Sequence, residues 1–319
     1  MQWTPGGTSG DIEDRRDSSG GGFGGGGLGG RHIGIGGFLL LLVLSLIFKQ
    51  NLLTLFSGGP APAPNVGSAN RAQDEAERPE VQFLSFVLDD VQNTWDQIFA
   101  QQGQVYRHAK LVLYRDETQS GCGGAESATG PFYCPEDEKV YLDLGFFDEL
   151  KNRFGAPGEF AQAYVLSHEI GHHVQKLLGI EQRISRLQQS HPGERNRLSV
   201  DLELQADCFA GVWGHSTEQR KIIDQSDIAA GLRAAAAVGD DRLQKMATGR
   251  VAPDSFTHGT SAQRTDWFQR GLTSGDIGAC DTSQAATEDP LAKAAMRRPD
   301  PETVWPPDAD ATPKPGTLP

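Results

Sequence analysis

The heptapeptide SHEIGHH, residues 167–173, carries side chains whose types and spacing could hold a metal ion. His168 and His172 are four residues apart, which on a helix places both imidazoles on one face and within reach of one zinc ion. Glu169 follows the first histidine and can contact a metal-bound water as its general base. His173 faces another side of that helix, and we predict no ligand role for it.

A catalytic zinc ion needs a third protein ligand, and the downstream stretch LELQADCFAGVW supplies a candidate. Glu203 and Asp207 are again four residues apart on a predicted helix. Glu203 would complete a His, His, Glu ligand set that leaves one coordination position open. Asp207, one turn further along, would accept a hydrogen bond from the second ring nitrogen of a ligand histidine. We therefore predict a site for one zinc ion.

The elements that must position these side chains are mostly helical. Gly158 to Leu178, which contains the first motif, has apolar residues at helical spacing and is followed by Gly179, a typical helix terminator. KLVLY, from Lys110 to Tyr114, and KVYLDL, from Lys139 to Leu144, are typical of strands. We predict further helices over residues 81–103, 146–154, 180–190, 198–213, 227–247 and 262–271. The fold class is therefore α+β, mostly helical with a small sheet, over residues 81–281.

The remaining parts of the 319-residue chain have biased compositions. Sixteen uncharged, mostly apolar residues run from Ile33 to Phe48, and with the following LLTLF they predict one transmembrane helix over residues 33–56. A cleaved signal peptide is the alternative, because SGGPAPAPN could supply a cleavage site. The other predicted segments are a glycine-rich disordered tail (1–32), a linker (57–80) and a disordered acidic tail rich in Pro and Ala (282–319).

Charge indicates an orientation and excludes one class of partner. Arg15, Arg16 and Arg31 precede the apolar run and only Lys49 follows it closely, which favours a cytoplasmic N-terminus and an extracytoplasmic domain in the cell membrane. The four cysteines contain no CxxC pair and suit disulfides in such an oxidising compartment. The net charge of −13 argues against a nucleic-acid partner, which would call for a basic surface.

The stretches AYVLSHEIGHHVQ and ELQADCFAGVW together resemble the bacterial membrane-anchored neutral zinc metallopeptidase family. The resemblance runs from the N-terminus to about Gly271 or Cys280 and includes the glycine-rich start, the single apolar run and the loop between Cys122 and Cys134. It implies a zincin-like domain with one bound zinc ion, acting on a peptide or protein substrate.

More distantly, the motif pair is similar to gluzincins such as the CAAX prenyl proteases, which also carry a His and an Arg six residues apart. His258 and Arg264 have that spacing here. The similarity implies that His258 stabilises the oxyanion of the tetrahedral intermediate and that Arg264 orients it. Gly259 departs from this pattern, because those proteases usually have proline there. The alternative is that Arg264 pairs with a carboxylate and His258 lies in a loop.

The resemblance also bears on the strands and the cysteines. In zincin folds an edge strand ahead of the metal helix binds an extended peptide by strand addition, so residues 139–144 are a candidate substrate edge. An ordinary core strand is the alternative. We pair Cys122 with Cys134 and Cys208 with Cys280, one of the three pairings that four cysteines allow. The alternative leaves Cys208 as a buried free thiol.

Together these patterns predict a membrane-anchored zinc-dependent endopeptidase in which Glu169 activates a zinc-bound water. A non-catalytic membrane-tethered binding protein with a structural or vestigial zinc site is the alternative, and a metal-dependent hydrolase of a non-peptide bond is the third possibility. Structural zinc normally has four protein ligands. Three ligands beside an intact Glu169 therefore favour catalysis.

Overall fold

The computed structural model describes residues 1–17, 66–126 and 130–282 of the chain. The anchor predicted over residues 33–56 lies outside this part, as does almost all of the predicted C-terminal tail. None of the described helices combines the length and the apolar character needed to cross a bilayer.

The described part of the chain is α+β and mostly helical, as predicted. Three short 3₁₀ segments, Pro192–Glu194, Pro253–Ser255 and Ile277–Cys280, accompany the longer helices. The α-helices in chain order are α1 (Val66–Gln101), α2 (Gly145–Asn152), α3 (Glu159–Leu177), α4 (Ile180–Ser190), α5 (Arg195–Gln219), α6 (Gln225–Ala237), α7 (Asp240–Thr248) and α8 (Ser261–Ser274).

Within the described ranges, six short strands form two sheets. They are β1 (Ile12–Asp14), β2 (Lys110–Tyr114), β3 (Glu117–Ser120), β4 (Gly123–Glu126), β5 (Phe132–Cys134) and β6 (Lys139–Asp143). The larger sheet has the order β1-β2-β6-β5, with β1 and β6 parallel to β2, and β5 antiparallel to β6. Strands β3 and β4 form a separate antiparallel hairpin.

The side chains of the central strands alternate between two cores. Leu111, Leu113, Val140 and Leu142 point into the main core, which they share with the helices. Alternate residues, among them Val112 and Tyr141, point to the other face and join a small second core with Cys134 and Ala125. This period of two is what a strand buried on both faces requires.

The helices that carry the two sequence motifs lie side by side because small residues allow it. A Cβ atom added to Gly171 of α3 would lie 3.0 Å from the Ala206 carbonyl oxygen of α5. On the other side of α5, a Cβ on Gly271 of α8 would collide with the Cys208 carbonyl oxygen. Glycine therefore permits the close crossings that bring α3, α5 and α8 together.

The structure differs from the sequence prediction at three segment boundaries. Residues 1–17 are not a disordered tail, because β1 pairs with β2 and the preceding residues pack on α1. The predicted linker, 57–80, is helical from Val66 onwards, with Pro79 inside the helix. The helix predicted over 227–247 is broken at Gly239, where an added Cβ would collide with the backbone nitrogen of Ser261.

Candidate metal centre

Three predicted ligands meet where α3 crosses α5. Nε2 of His168 lies 3.2 Å from Oε2 of Glu203, and Nε2 of His172 lies 3.4 Å from Oε1 of the same carboxylate. The ligand atoms of the three residues all lie within 4.8 Å of one another, and within the described ranges no other His, Cys, Asp and Glu side chains form such a group. Two ligands at tetrahedral positions about 2.0–2.1 Å from zinc are roughly 3.3 Å apart, so these donors fit the ion in type and spacing.

The second ring nitrogen of each histidine is held by a hydrogen bond. His168 Nδ1 donates to Oδ1 of Asp207 at 2.9 Å, and His172 Nδ1 donates to Oε1 of Gln175 at 2.9 Å. The Gln175 amide in turn donates to the Leu202 carbonyl at 2.7 Å. With Nδ1 carrying the proton, each Nε2 keeps its lone pair for a metal ion.

Asp207 is completely buried and binds more than the histidine. The Arg264 guanidinium donates to both of its oxygens, from Nε at 2.8 Å and from Nη2 at 2.9 Å. The Tyr164 hydroxyl donates to Oδ1 at 2.5 Å. Burial alone would raise the pKa of Asp207, but Arg264 and His168 lower it, so the carboxylate is ionised.

The charges of the centre compensate one another in a buried environment. Burial opposes the charged form of His168, but the Asp207 carboxylate raises its pKa to about 10 in the metal-free chain. Burial also opposes the charged form of Glu203 and would raise its pKa, yet His172 and His168 hold that pKa well below its usual value. Glu203 is therefore ionised, and a zinc ion that bound here would have to displace protons from the histidines.

Glu169 lines the same cavity as the three ligands and is nearly buried, with 7% of its surface exposed. Its carboxylate forms no hydrogen bond with the other described residues. A carboxylate without a protein partner, adjacent in sequence to a ligand histidine, is available to a water molecule. This is the arrangement that a general base requires.

His258 reaches the cavity, but Arg264 does not orient it. The structure pairs Arg264 with Asp207 and Tyr164, which matches the alternative considered from the sequence. His258 is held by Asp240, whose Oδ2 accepts the His258 backbone N–H at 2.7 Å and whose Oδ1 lies 3.2 Å from Nδ1.

Gly259 stands where gluzincins usually have proline, and the local backbone explains the difference. Its φ is +88°, a conformation closed to proline, and its backbone N–H also donates to Asp240, at 3.2 Å. An ideal Cβ at this position would lie 3.2 Å from Val200. The loop that carries His258 is therefore built around a glycine and a buried carboxylate.

The cavity above the metal centre has a volume of about 520 Å³, within the usual range for ligand sites. One wall is formed by the segment around β5, Gly130 to Tyr133. The other walls include the apolar side chains of Phe146, Val165, Leu202 and Leu243.

The strand predicted as a substrate edge is an interior strand. Residues Lys139–Asp143 lie between β2 and β5, so both of their backbone edges are paired. The strand that borders the cavity is β5, and within the described residues it has no further strand on its outer side. The alternative of an ordinary core strand is therefore correct, and β5 was not identified because Phe132–Cys134 is too short to produce a visible alternation.

His173, for which no ligand role was predicted, lies outside the group of three candidate ligands and contacts β5. It is fully buried, its Nε2 donates to the Arg107 carbonyl at 2.6 Å, and its Nδ1 accepts from the Tyr133 hydroxyl at 2.9 Å. Burial lowers the pKa of His173 to about 4, so the ring is neutral. His173 thereby connects α3 to β5.

Several supporting residues were not identified from the sequence. Tyr164 and Gln175 precede and follow the ligand histidines by four and three residues, so helical spacing could have placed both on the metal face. No local pattern marks Asp240 or Tyr133, whose partners are distant in sequence.

Both cysteine pairs of our pairing are bonded, with Cα–Cα distances of 5.8 Å for Cys122–Cys134 and 5.5 Å for Cys208–Cys280. The alternative of a free thiol at Cys208 is wrong. The first bond ties β5 to the turn between β3 and β4. The second ties α5, the helix that carries Glu203, to the last described 3₁₀ segment.

Residues 1–283 match the protein family described as "Putative neutral zinc metallopeptidase". The chain is 49% identical over 290 residues to the uncharacterized protein YpfJ of Escherichia coli strain K12, which covers 88% of this chain and 98% of that protein. It is 45% identical over 192 residues to the uncharacterized protein Rv2575 of Mycobacterium tuberculosis, which covers 57% of this chain and 64% of that one. No solved structure matches it.

Proposed function

This chain belongs to the "Putative neutral zinc metallopeptidase" family, and on that premise we propose that it is a zinc-dependent endopeptidase. The observation that carries the proposal is the group of His168, His172 and Glu203 at the floor of an open cavity that Glu169 also lines. Three protein ligands leave a coordination position for water and substrate, whereas a structural zinc site is normally closed by a fourth ligand.

Each residue has a defined task in this reaction. His168, His172 and Glu203 would hold one zinc ion, which supplies a Lewis acid and lowers the pKa of its bound water towards about 7. Glu169 takes the proton of the attacking water and delivers it to the leaving amine nitrogen. His258 donates a hydrogen bond to the substrate carbonyl oxygen as negative charge develops on it. Asp240 engages Nδ1 of that ring, so Nε2 is the nitrogen that remains for the substrate.

The substrate is a peptide in an extended conformation. Strand β5 borders the cavity and offers backbone groups for strand addition, which supports main-chain recognition of a peptide. The apolar walls support the binding of apolar side chains on either side of the cleaved bond.

The location of the protein is part of the same proposal. The apolar run of residues 33–56 attaches the chain to the cell membrane, and the catalytic domain lies outside the cytoplasm. The two disulfides support this placement, because such bonds persist in oxidising compartments.

Glu169→Gln tests the proposal. This variant of the full chain keeps all three ligands, so we expect it to retain one zinc ion per chain by metal analysis. Cleavage of an unbiased peptide library should fall by about 10²–10⁴-fold, the usual contribution of a general base.

Glu181→Gln is the matched control, because Glu181 lines the same cavity but lies outside the ligand group. It should retain most of the cleavage activity. A chain purified without chelators that holds no zinc would refute the proposal, as would a Glu169→Gln variant that cleaves peptides like the wild type. Zinc binding without peptide cleavage in the wild type would favour a non-catalytic binding protein or a hydrolase of another bond.

A further inference from the structure

The first sixteen residues of the chain belong to the same compact unit as the candidate metal centre. Strand β1 extends the sheet by pairing in parallel with β2, with Ile12 opposite Leu111 and Asp14 opposite Leu113. The backbone also joins them beyond the strand, since Arg15 N–H donates to the Leu113 carbonyl at 2.7 Å. The same sheet ends at β5 beside the metal centre. The N-terminal strand is thus a structural part of the sheet that borders the candidate active site.

Apolar and polar contacts fix the residues that precede β1. The Trp3 ring packs against Phe83 of α1, with ring centroids 5.3 Å apart, and its Nε1 donates to Glu159 at the start of α3 at 3.1 Å. The Ser9 hydroxyl donates to Asp89 of α1 at 2.6 Å. These contacts join the N-terminal segment to α1 and to the start of α3.

Charge pairs fix the strand itself. Glu13 accepts a hydrogen bond from Nζ of Lys139, on β6, at 2.7 Å, and this bond lowers the pKa of Glu13. Asp11 lies 2.8 Å from Nζ of Lys110 and 2.7 Å from Nδ1 of His108. Since Lys139 lies beyond β2, β1 contacts the sheet across two strands and not only at its edge.

We propose that residues 1–16 and the catalytic domain lie on the same, extracytoplasmic face of the membrane. A strand that pairs with a sheet cannot be separated from it by a bilayer, so the chain between Asp17 and Arg78 begins and ends on one face. A crossing helix requires about 20 apolar residues. The 24 residues from 33 to 56 are too few to cross twice.

This proposal replaces the cytoplasmic N-terminus expected from the charge bias. Arg15 and Arg16 were the main support for that orientation, but both have structural partners. Arg15 Nη2 lies 2.8 Å from Glu13 and its Nη1 donates to the Gln119 carbonyl at 3.1 Å. Arg16, whose side chain is 7% exposed, lies 2.7 Å from Asp14. The fold accounts for these arginines without any role in membrane orientation.

Cysteine labelling of the full chain tests the topology without reference to activity. The native cysteines are all bonded, so a maleimide reacts only with introduced thiols. Thr8→Cys reports on the N-terminal segment and Val105→Cys on the domain, and both positions are exposed, Val105 by 85%. Intact spheroplasts that express either variant are treated with a membrane-impermeant maleimide before and after lysis.

We expect both thiols to react in intact spheroplasts, with no increase on lysis, while a cytoplasmic marker protein reacts only after lysis. Reaction of Val105→Cys alone in intact cells would show a single crossing and overturn the proposal. If both thiols react only after lysis, the extracytoplasmic assignment is wrong.

A charge exchange tests the packing of β1 in the same full-length chain. Glu13→Lys should lower the melting temperature, because it places a lysine beside Lys139 and Arg15. Adding Lys139→Glu should recover part of that loss, since it restores one attractive pair. If the two substitutions lower the melting temperature by amounts that simply add, β1 is not docked as described. The proposal then loses its basis.

Discussion

Asp207 binds three side chains at the candidate metal centre, those of Tyr164, His168 and Arg264, and it has no exposed surface. We expect Asp207→Asn to weaken zinc binding about 10–100-fold, because the partner of His168 loses its charge. It should also destabilise the fold by about 3–5 kcal/mol, because Arg264 is left buried without a counter-charge. Zinc titration against a competing chelator and thermal unfolding measure the two effects.

Asp201→Asn is the matched control for that substitution. Asp201 lies on the same helix, is 4% exposed and pairs with Arg197 at 2.9 Å, but it is not part of the metal centre. Its replacement should leave zinc affinity unchanged. If the two variants lose zinc affinity equally, general destabilisation of α5 would explain the result and the role of Asp207 would be refuted.

His173 acts on the cleft through Tyr133 and not through the metal. We expect His173→Phe, which keeps the ring but loses both hydrogen bonds, to raise KM for peptides about 2–10-fold, because a net hydrogen bond stabilises by about 0.5–1.5 kcal/mol. The value of kcat and the zinc content should change little. Steady-state kinetics and metal analysis separate these quantities.

Tyr133→Phe removes only the hydroxyl group that binds His173. It should reproduce part of the rise in KM, and the double variant should be no worse than His173→Phe alone. Loss of zinc from either variant would contradict the interpretation that the pair positions β5.

At the scale of elements, the crossing of α3 and α5 sets the distance between the histidines and Glu203. A Cβ on Gly171 would lie 3.0 Å from one atom of Ala206 and 3.1 Å from another, and both are backbone atoms that cannot move aside. We expect Gly171→Ala to push the two helices apart and to weaken zinc binding by more than it destabilises the rest of the fold. Zinc titration together with thermal unfolding of the metal-free chain measures both.

Gly193→Ala is the control for this change, since nothing lies within 4 Å of its Cβ position. It should leave both zinc affinity and stability close to those of the wild type. Unchanged zinc affinity in Gly171→Ala would show that the centre tolerates a wider crossing, contrary to our interpretation.

At the scale of the whole molecule, His108 links the N-terminal segment to α1. Its Nδ1 lies 2.7 Å from Asp11 and its Nε2 lies 2.9 Å from Asp96, while Lys110 shares the Asp11 carboxylate. Burial alone would lower the pKa of His108, but the two carboxylates raise it above the ordinary value of 6.5. Because the protonated form is favoured by folding, its stabilisation is complete below that value and is lost as the pH rises through the raised pKa.

We therefore expect the difference in melting temperature between the wild type and His108→Gln to shrink as the pH rises above 6.5 and through the raised pKa of His108. The effect is small, because 38% of the His108 side chain is exposed and solvent screens the pairs. Thermal unfolding across this range measures it. A difference that is constant with pH would show that His108 contributes by packing and not by charge.

Local spacing was enough to predict much of the candidate centre. His168, Glu169 and His172 follow from the period of a helix, and so do Glu203 and Asp207, because residues four apart share a face whatever the fold around them. The bounds of strand β2 and helix α3 were predicted to within a residue or two, because the apolar residues of both elements follow a regular pattern.

The sequence by itself thus determined which side chains could bind zinc, but tertiary structure alone decided what surrounds them. Arg264 pairs with Asp207, which is 57 residues away in the sequence, and Asp240 binds His258, which is 18 residues away. Ile12 likewise pairs with the distant Leu111. Such contacts depend on how helices and strands pack, and no period in the chain encodes them. Packing also placed β5 at the edge of the sheet among the described strands. It made residues 12–14 a strand of the same sheet, because backbone hydrogen bonding to β2 does not require a long apolar pattern.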